Sequence, residues 1–301
     1  MLNLLKVAFL FKFVSTVFGG FLINFFGQFL PDSFKRIYLP GRFNECAKSK
    51  SIEKFEVPKR WFRHFYLFAA PYSTFYLLLL CYRYLLNGRT PNFVNWQISI
   101  FFDSSRETPI SAERVLLGML IFTAHCWKRY YESHYISVFS DSTINLSVYI
   151  IGFTHYFGGI LSIVGESQSI DKDSTIHLNW SNLTWLEYTC ASIFILSTYL
   201  QLRTNIILSN LRKNEKGVVI TKQHKIPRGE LFEYITAPLQ FTEIILYLCM
   251  SIILREGSTF HYVTLWTVAN QVECSYLAHT WFLNKFKDYP KSRKMIVPYI
   301  F

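Results

Sequence analysis

Charge is scarce in this sequence, and acidic charge is scarcest. Only 20 Asp and Glu stand against 31 Lys and Arg in 301 residues, and charged residues make up 17% of the chain. A soluble domain of this length carries more charge. The six cysteines, Cys46, Cys81, Cys126, Cys190, Cys249 and Cys274, include no CxxC pair, and most fall inside apolar runs. They read as small buried residues in a reducing or lipid setting, not as a zinc or disulfide framework. No GxGxxG follows a strand, and no P-loop, HExxH or serine nucleophile elbow occurs. A nucleotide, if bound, therefore sits outside any Rossmann crevice. The apolar N-terminus, 1–30, has no Ala-x-Ala site and is long enough to span a bilayer, so it reads as a retained first helix. Internal repeats and low-complexity segments are absent.

Apolar length is what the sequence has in abundance. Hydrophobic residues make up 51% and aromatics 18%, with 29 Phe and 19 Tyr. Crossing the hydrocarbon core takes about 20 apolar residues in a helix. Candidate spans lie at roughly 5–29, 64–86, 112–128, 134–164, 183–208, 231–254 and 259–283. The expectation is an all-α integral membrane bundle of about seven transmembrane helices, forming one domain over 1–301. The fourth span is long and contains Asp141, Asn145 and His155, so it is expected to be broken or tilted.

The surplus of bases follows the loops. Lys35, Arg36, Arg42, Lys48, Lys50, Lys54, Lys59, Arg60 and Arg63 fall in 31–63, and Arg212, Lys213, Lys216, Lys222, Lys225 and Arg228 in 209–230. The tail adds Lys285, Lys287, Lys291, Arg293 and Lys294, whereas the alternate loops hold only Arg89, Arg106, Lys172 and Arg255. The positive-inside rule then predicts a lumenal N-terminus and a cytosolic C-terminus. It also explains the net charge of +11 without nucleic acid as a partner. The sequons at Asn179 and Asn182 fall on the lumenal side of that arrangement.

Ionisable groups within spans are costly in lipid and mark either interhelical hydrogen bonds or functional sites. Here they are His125, Asp141, His155, Glu243, Glu273 and His279. Glu243, Asn270, Glu273 and His279 share the last two spans, beside the basic loop, and are expected to cluster. Asn270 and His279 are nine residues apart, about half a turn out of phase, and so line different walls. The pair Gly158-Gly159 reads as a helix-packing site. The loop "NLRKNEKGVVITKQHKIPRGELFEYITAP" (210–238) suits either dinucleotide phosphates or anionic lipid heads. No metal site is expected.

That loop, the end "AHTWFLNKFKDYPKSRKMIVPYIF" (278–301) and "RYYESHYISVFS" (129–140) resemble the steroid 5α-reductase family, nearest its polyprenol reductase branch. The resemblance is strong over 111–301 and weak over 1–110. It implies a membrane-embedded NADPH-dependent oxidoreductase acting on a CH–CH group, with its nucleotide cavity open to the cytosol. By that resemblance Arg212, Lys225, Gly229, Tyr234 and Glu243 contribute to the cofactor site, and Asn270, Asp288, Tyr289 and Arg293 complete it, with His279 as the candidate catalytic group. Lys225 stands where Arg is frequent and lacks its bidentate fork. Phe282 stands where many relatives have Tyr. Cys126, in "HCWKR", occupies the place of a ketone-polarising Tyr in the steroid branch, which argues against a steroid handled in that way.

The implied reaction saturates the α-isoprene double bond of a long polyisoprenoid lipid in dolichol synthesis, in the endoplasmic reticulum membrane, and so supports protein N-glycosylation. Hydride addition to a carbon–carbon double bond needs an electron sink, which a conjugated aldehyde has and an allylic alcohol lacks. Chemistry thus favours polyprenal, although the branch name favours the alcohol. Alternatives are a steroid or trans-2-enoyl-CoA reductase, a membrane methyltransferase of the isoprenylcysteine type, or a seven-helix receptor or transporter.

Overall fold

The computed structural model describes residues 3–39, 54–103, 106–171 and 174–301. Cys46, Arg42, Lys48, Lys50 and Lys172 lie outside them.

The described chain is mostly helical. Its α-helices are α1 (Leu4–Phe26), α2 (Asp32–Tyr38), α3 (Phe62–Leu85), α4 (Asn92–Phe101), α5 (Ala112–Tyr131), α6 (Leu146–Gly165), α7 (Trp185–Asn210), α8 (Pro238–Ile253) and α9 (Thr259–Lys285). Their starts are chemically marked. Asn3 caps α1, Asn145 caps α6, and Thr184 with Glu187 forms a capping box on α7. Pro238 opens α8, where its missing N–H costs nothing.

Helices occupy all seven expected stretches. Among the described residues four stretches, Leu4–Phe29, Lys59–Leu85, Leu146–Gly165 and Trp185–Asn210, are long and apolar enough to cross a membrane. α8 is apolar but shorter. α5 and α9 are long but less apolar, because they turn charged side chains such as Glu113, Arg114 and Glu273 towards partners within the bundle.

The structure departs from expectation in places. The fourth span begins at 146, not 134: the chain leaves α5 through a π turn at Glu132–Ile136 and forms a strand before α6 starts. Asp141 is therefore not a membrane residue but an exposed carboxylate 2.6 Å from Lys222 Nζ. Asn145, read as an interruption, is the cap of the next helix. The second difference is α4, which apolar length alone misses. It is a ten-residue helix that buries Val94 and Ile98 and exposes Phe93 and Trp96.

α1 packs chiefly on α9, α3 on α5, and α7 on α8. Phe9 of α1 is buried where a Cβ on Gly158 would come within 2.8 Å of its ring. Gly158 thus serves the packing role its position suggested. Phenylalanines at 11, 18 and 25 of α1 stay exposed, as on a surface facing lipid.

Strands β1 (Glu56–Pro58) and β2 (Thr143–Asn145) pair antiparallel. They tie the segment before α3 to the one before α6. Arg63 Nε donates to the Ser133 carbonyl at 3.0 Å, Ser209 Oγ to the Ile136 carbonyl at 2.7 Å, and Arg293 Nη1 to the Pro227 carbonyl at 3.2 Å. The segments around 56–63, 132–145, 209–230 and 286–301 therefore gather at one end of the bundle, the grouping that the distribution of bases predicted.

Candidate active site

The tail returns to the basic loop through its backbone. Lys294 N donates to the Tyr234 carbonyl at 2.9 Å, Thr236 N to the Lys294 carbonyl at 2.8 Å, and Ala237 N to the Met295 carbonyl at 3.2 Å. The pairing delays α8 until Pro238, later than the expected 231. Just upstream Gly229 has φ +91°, a conformation that side-chain-bearing residues rarely adopt, and its N–H donates to Glu233 Oε1. Glu230 follows at φ +50° and pairs with Arg203 at 2.7 Å.

Thr236 joins the pieces. Its buried hydroxyl lies 2.6 Å from His279 Nδ1, 2.7 Å from the Tyr289 hydroxyl and 3.2 Å from the Lys294 carbonyl. The Tyr289 ring lies parallel to Phe282 at 5.3 Å. Arg293 is only 2% exposed, with its guanidinium 5.2 Å from the Tyr289 ring. Its Nη1 reaches Pro227, while Nε and Nη2 have no partner among the described residues. A buried cation with unmatched donors costs several kcal/mol, a cost removed by an anion. The pattern of donors fits a phosphate, which an Arg fork binds through two hydrogen bonds.

The other residues expected around a nucleotide divide into groups. Tyr234 is half-exposed with its ring 5.3 Å from Tyr299, and Lys225 and Asp288 are exposed at the rim. Arg212 donates through Nη1 to the Val138 carbonyl, and burial lowers its pKa from the ordinary guanidinium value. Asn270 is half-buried on α9. Glu273 does not join them. It accepts from Asn24 Nδ2 at 3.1 Å and lies against Gly20, both on α1.

Glu243 belongs to a separate interior network. It accepts from Gln201 Nε2 at 2.6 Å, and Gln201 Oε1 in turn accepts from Lys128 Nζ. Lys128 lies 3.2 Å from Glu132, a residue with no exposure. Glu132 also accepts from Arg129, which donates to the Tyr66 hydroxyl at 2.7 Å. The expected grouping of Glu243, Glu273 and His279 is thus corrected to three separate settings. Glu273 and His279 are six residues apart, about two-thirds of a turn, so a straight helix points them differently.

Sequence reasoning missed Thr236, Gln201 and Glu132. Glu132 had a visible signal, since Lys128 and Arg129 precede it at the i,i+4 and i,i+3 spacing of helical ion pairs. Thr236 and Gln201 are neutral and give no such signal. Among the described residues no cluster of His, Cys, Asp and Glu is arranged to hold a metal ion.

The family model of 3-oxo-5-alpha-steroid 4-dehydrogenases matches residues 167–301, which contain α7 to α9, the basic loop and the tail. The chain is 31% identical to the polyprenal reductase of Drosophila melanogaster, over 99% of this chain and 94% of that protein. It is 28% identical to the polyprenal reductase of Homo sapiens, over 95% of this chain and 94% of that protein. It is likewise 28% identical to the Caenorhabditis elegans polyprenal reductase, over 83% and 81%. The likeness thus reaches into the first 110 residues, where motifs alone gave little. With the tail, the loop and this near full-length similarity in agreement, the chain belongs to the polyprenal reductase family.

Proposed function

We propose that the chain reduces the α-isoprene double bond of polyprenal with NADPH, a step towards dolichol and so towards protein N-glycosylation. It acts as one seven-helix domain of the endoplasmic reticulum membrane, with the basic loop and tail on the cytosolic face. The observation that carries the reading is Arg293, a buried guanidinium with two unmatched nitrogens, held beside Tyr289 by the tail. The relatives' names supply the substrate, and they name the aldehyde that the electron-sink argument requires.

A reduced nicotinamide, when bound, supplies hydride. Arg293 meets a phosphate, and Lys225 and Arg212 add positive charge at the rim. Gly229 gives the loop its turn beside the tail. Thr236 fixes the His279 ring through Nδ1, which leaves Nε2 as the nitrogen able to meet a ligand. Asn270, Tyr234, Asp288 and Tyr289 complete the nucleotide surroundings, while Glu243 stays in its separate network with Gln201 and Lys128.

As the new C–H bond forms at the β carbon, the π electrons move through the enal onto the carbonyl oxygen. A proton from solvent at the α carbon then gives the saturated aldehyde, with the nicotinamide left oxidised. A hydrogen-bond donor on that oxygen lowers the barrier.

Purified protein in lipid nanodiscs, supplied with NADPH and polyprenal, is expected to form the saturated aldehyde, and polyprenol is expected to stay unchanged. Replacing NADPH by NADH tests the cofactor. Turnover of polyprenol in place of polyprenal overturns the electron-sink argument, and failure to bind NADPH overturns the reductase reading.

A further inference from the structure

Two helices bring together a pair of side chains that the nucleotide site does not use. His155 of α6 and Tyr247 of α8 lie inside the bundle, with His155 Nε2 2.6 Å from the Tyr247 hydroxyl. Tyr247 is nine residues beyond Pro238, about 14 Å further along the helix than the point where the tail attaches. Its ring stacks on Phe260 at 6.0 Å and meets Phe122 edge-on at 6.3 Å. Trp266, Tyr156 and Phe9 surround the His155 ring at 5.0, 5.1 and 6.2 Å. His155 Nδ1 is buried and has no partner among the described residues.

Hydrogen counting makes this pair informative. A neutral imidazole carries one N–H and a phenol carries one O–H. Their mutual bond uses one hydrogen. If Tyr247 donates to Nε2, the imidazole hydrogen sits on Nδ1 and faces no acceptor. If Nε2 donates to Tyr247, the phenolic hydrogen is free. Either tautomer leaves one donor unmatched among aromatic rings, where an unmatched polar group is unfavourable. Lys12 adds an amine nearby. Its Nζ donates to Thr154, the neighbour of His155, at 2.9 Å and lies 4.5 and 5.1 Å from the Phe9 and Trp266 rings.

From this geometry we infer that Tyr247 and His155 form the carbonyl-binding site, and that their spare hydrogen meets the aldehyde oxygen of the lipid substrate. The chemistry needed there is a donor that keeps its proton while hydrogen-bonding the oxygen, in a dry setting, close to positive charge; the pair and Lys12 supply all three. The site takes an α,β-unsaturated isoprenoid aldehyde and has no counterpart interaction for a hydrocarbon end. Its assignment leaves His279, tied to Thr236 at the tail, to the nicotinamide. The inference rests on the reductase reading and deepens it.

The test uses Tyr247→Phe, His155→Gln and the double variant, each in nanodiscs. Farnesal serves as probe for binding and polyprenal for turnover. For Tyr247→Phe we expect kcat to fall by about 100-fold, the scale of one lost oxyanion donor, with NADPH affinity within twofold of the parent. The two single losses should combine far less than additively, because they disable one unit. In the complex with NADP+, which cannot turn over, the Raman carbonyl stretch of bound farnesal should be lowered in the parent and return towards its value in hydrocarbon in Tyr247→Phe. That shift reports contact and does not move for a packing change alone.

If the parent reduces polyprenal while both variants keep kcat within threefold, or if the carbonyl stretch is the same in parent and Tyr247→Phe, the carbonyl assignment is overturned and the reductase reading stands. If the parent binds no NADPH and reduces no enal, both fall together.

Discussion

The two ends of the bundle differ in how a buried arginine is matched. At the end formed by the segments around 106–114, 174–187 and 254–259, with Glu166, acids and bases match. Glu187, with no exposure, accepts from Arg114 Nε at 2.9 Å, from Arg255, and from Thr184 N at 2.8 Å. Arg114 also meets Glu256, and Glu166 accepts from the backbone N–H groups of Ser258 and Thr259, at 2.8 and 2.9 Å, where α9 starts. At the tail end the exposed cations Lys225, Lys291 and Lys294 crowd the rim, and buried Arg293 keeps two nitrogens unmatched. The first arrangement resembles a completed structural joint. The second has the form of a joint awaiting an anion. A charge that is buried and matched serves stability, whereas one that is buried and unmatched points to a ligand.

Substitutions at the two ends should therefore have opposite signatures. The largest effect is expected for Glu187→Gln, which leaves Arg114 and Arg255 facing a neutral amide. Breaking a buried pair from one side costs about 3–5 kcal/mol, so thermal unfolding should move down sharply while NADPH affinity is kept. Arg293→Met should do the reverse. The NADPH dissociation constant should rise by ~30-fold, from the loss of about 2 kcal/mol of charge-assisted hydrogen bonding, and the ligand-free protein should unfold no earlier than the parent. Titration of both variants by tryptophan quenching, beside a melting curve, checks the pair. A fall in ligand-free stability for Arg293→Met would break the comparison.

Smaller effects sharpen it. Thr236→Val keeps the shape of the side chain and removes the hydroxyl shared by His279 and Tyr289. Loss of that junction should lower kcat/KM for polyprenal by ~10-fold, about 1.4 kcal/mol, read from steady-state rates. The smallest change is expected for Lys225→Arg. A guanidinium at the rim offers a phosphate two parallel donors, so NADPH should bind a few-fold more tightly. No gain there would place Lys225 outside the reach of the nucleotide.

The helices were legible because apolar length is a strong signal, and the shared end was legible because bases follow topology. The start of α6 was not, since Ile136, Val138 and Phe139 continue the apolar run across a turn. Only hydrogen bonding separates that turn from the helix, through Ser209 to Ile136 and Arg212 to Val138. In the site, His279, Tyr289, Arg293 and Gly229 could be named from motifs. Their junction at Thr236 could not, because a threonine in an apolar stretch looks like any other small polar residue. Glu243 and Glu273 look alike in sequence and differ only in which helix faces them, α7 for one and α1 for the other. The choice of aldehyde over alcohol came from electron demand, and the relatives' names agree with it.

The parallel bridge between Ile235 and Lys294 carries a further consequence. Successive residues of an extended segment point to opposite faces. Arg293 is buried there and Lys294 exposed. Deleting one residue from 287–292 would shift the register by one step and exchange the two, turning the guanidinium outward and drawing a flexible ammonium in. Net charge in the tail and helix content would hardly change, yet the fork would be gone. The spacing between Lys285 and Arg293 is thus as much a part of the site as the residues themselves, and length variants in that stretch should abolish nucleotide binding more completely than most point substitutions within it.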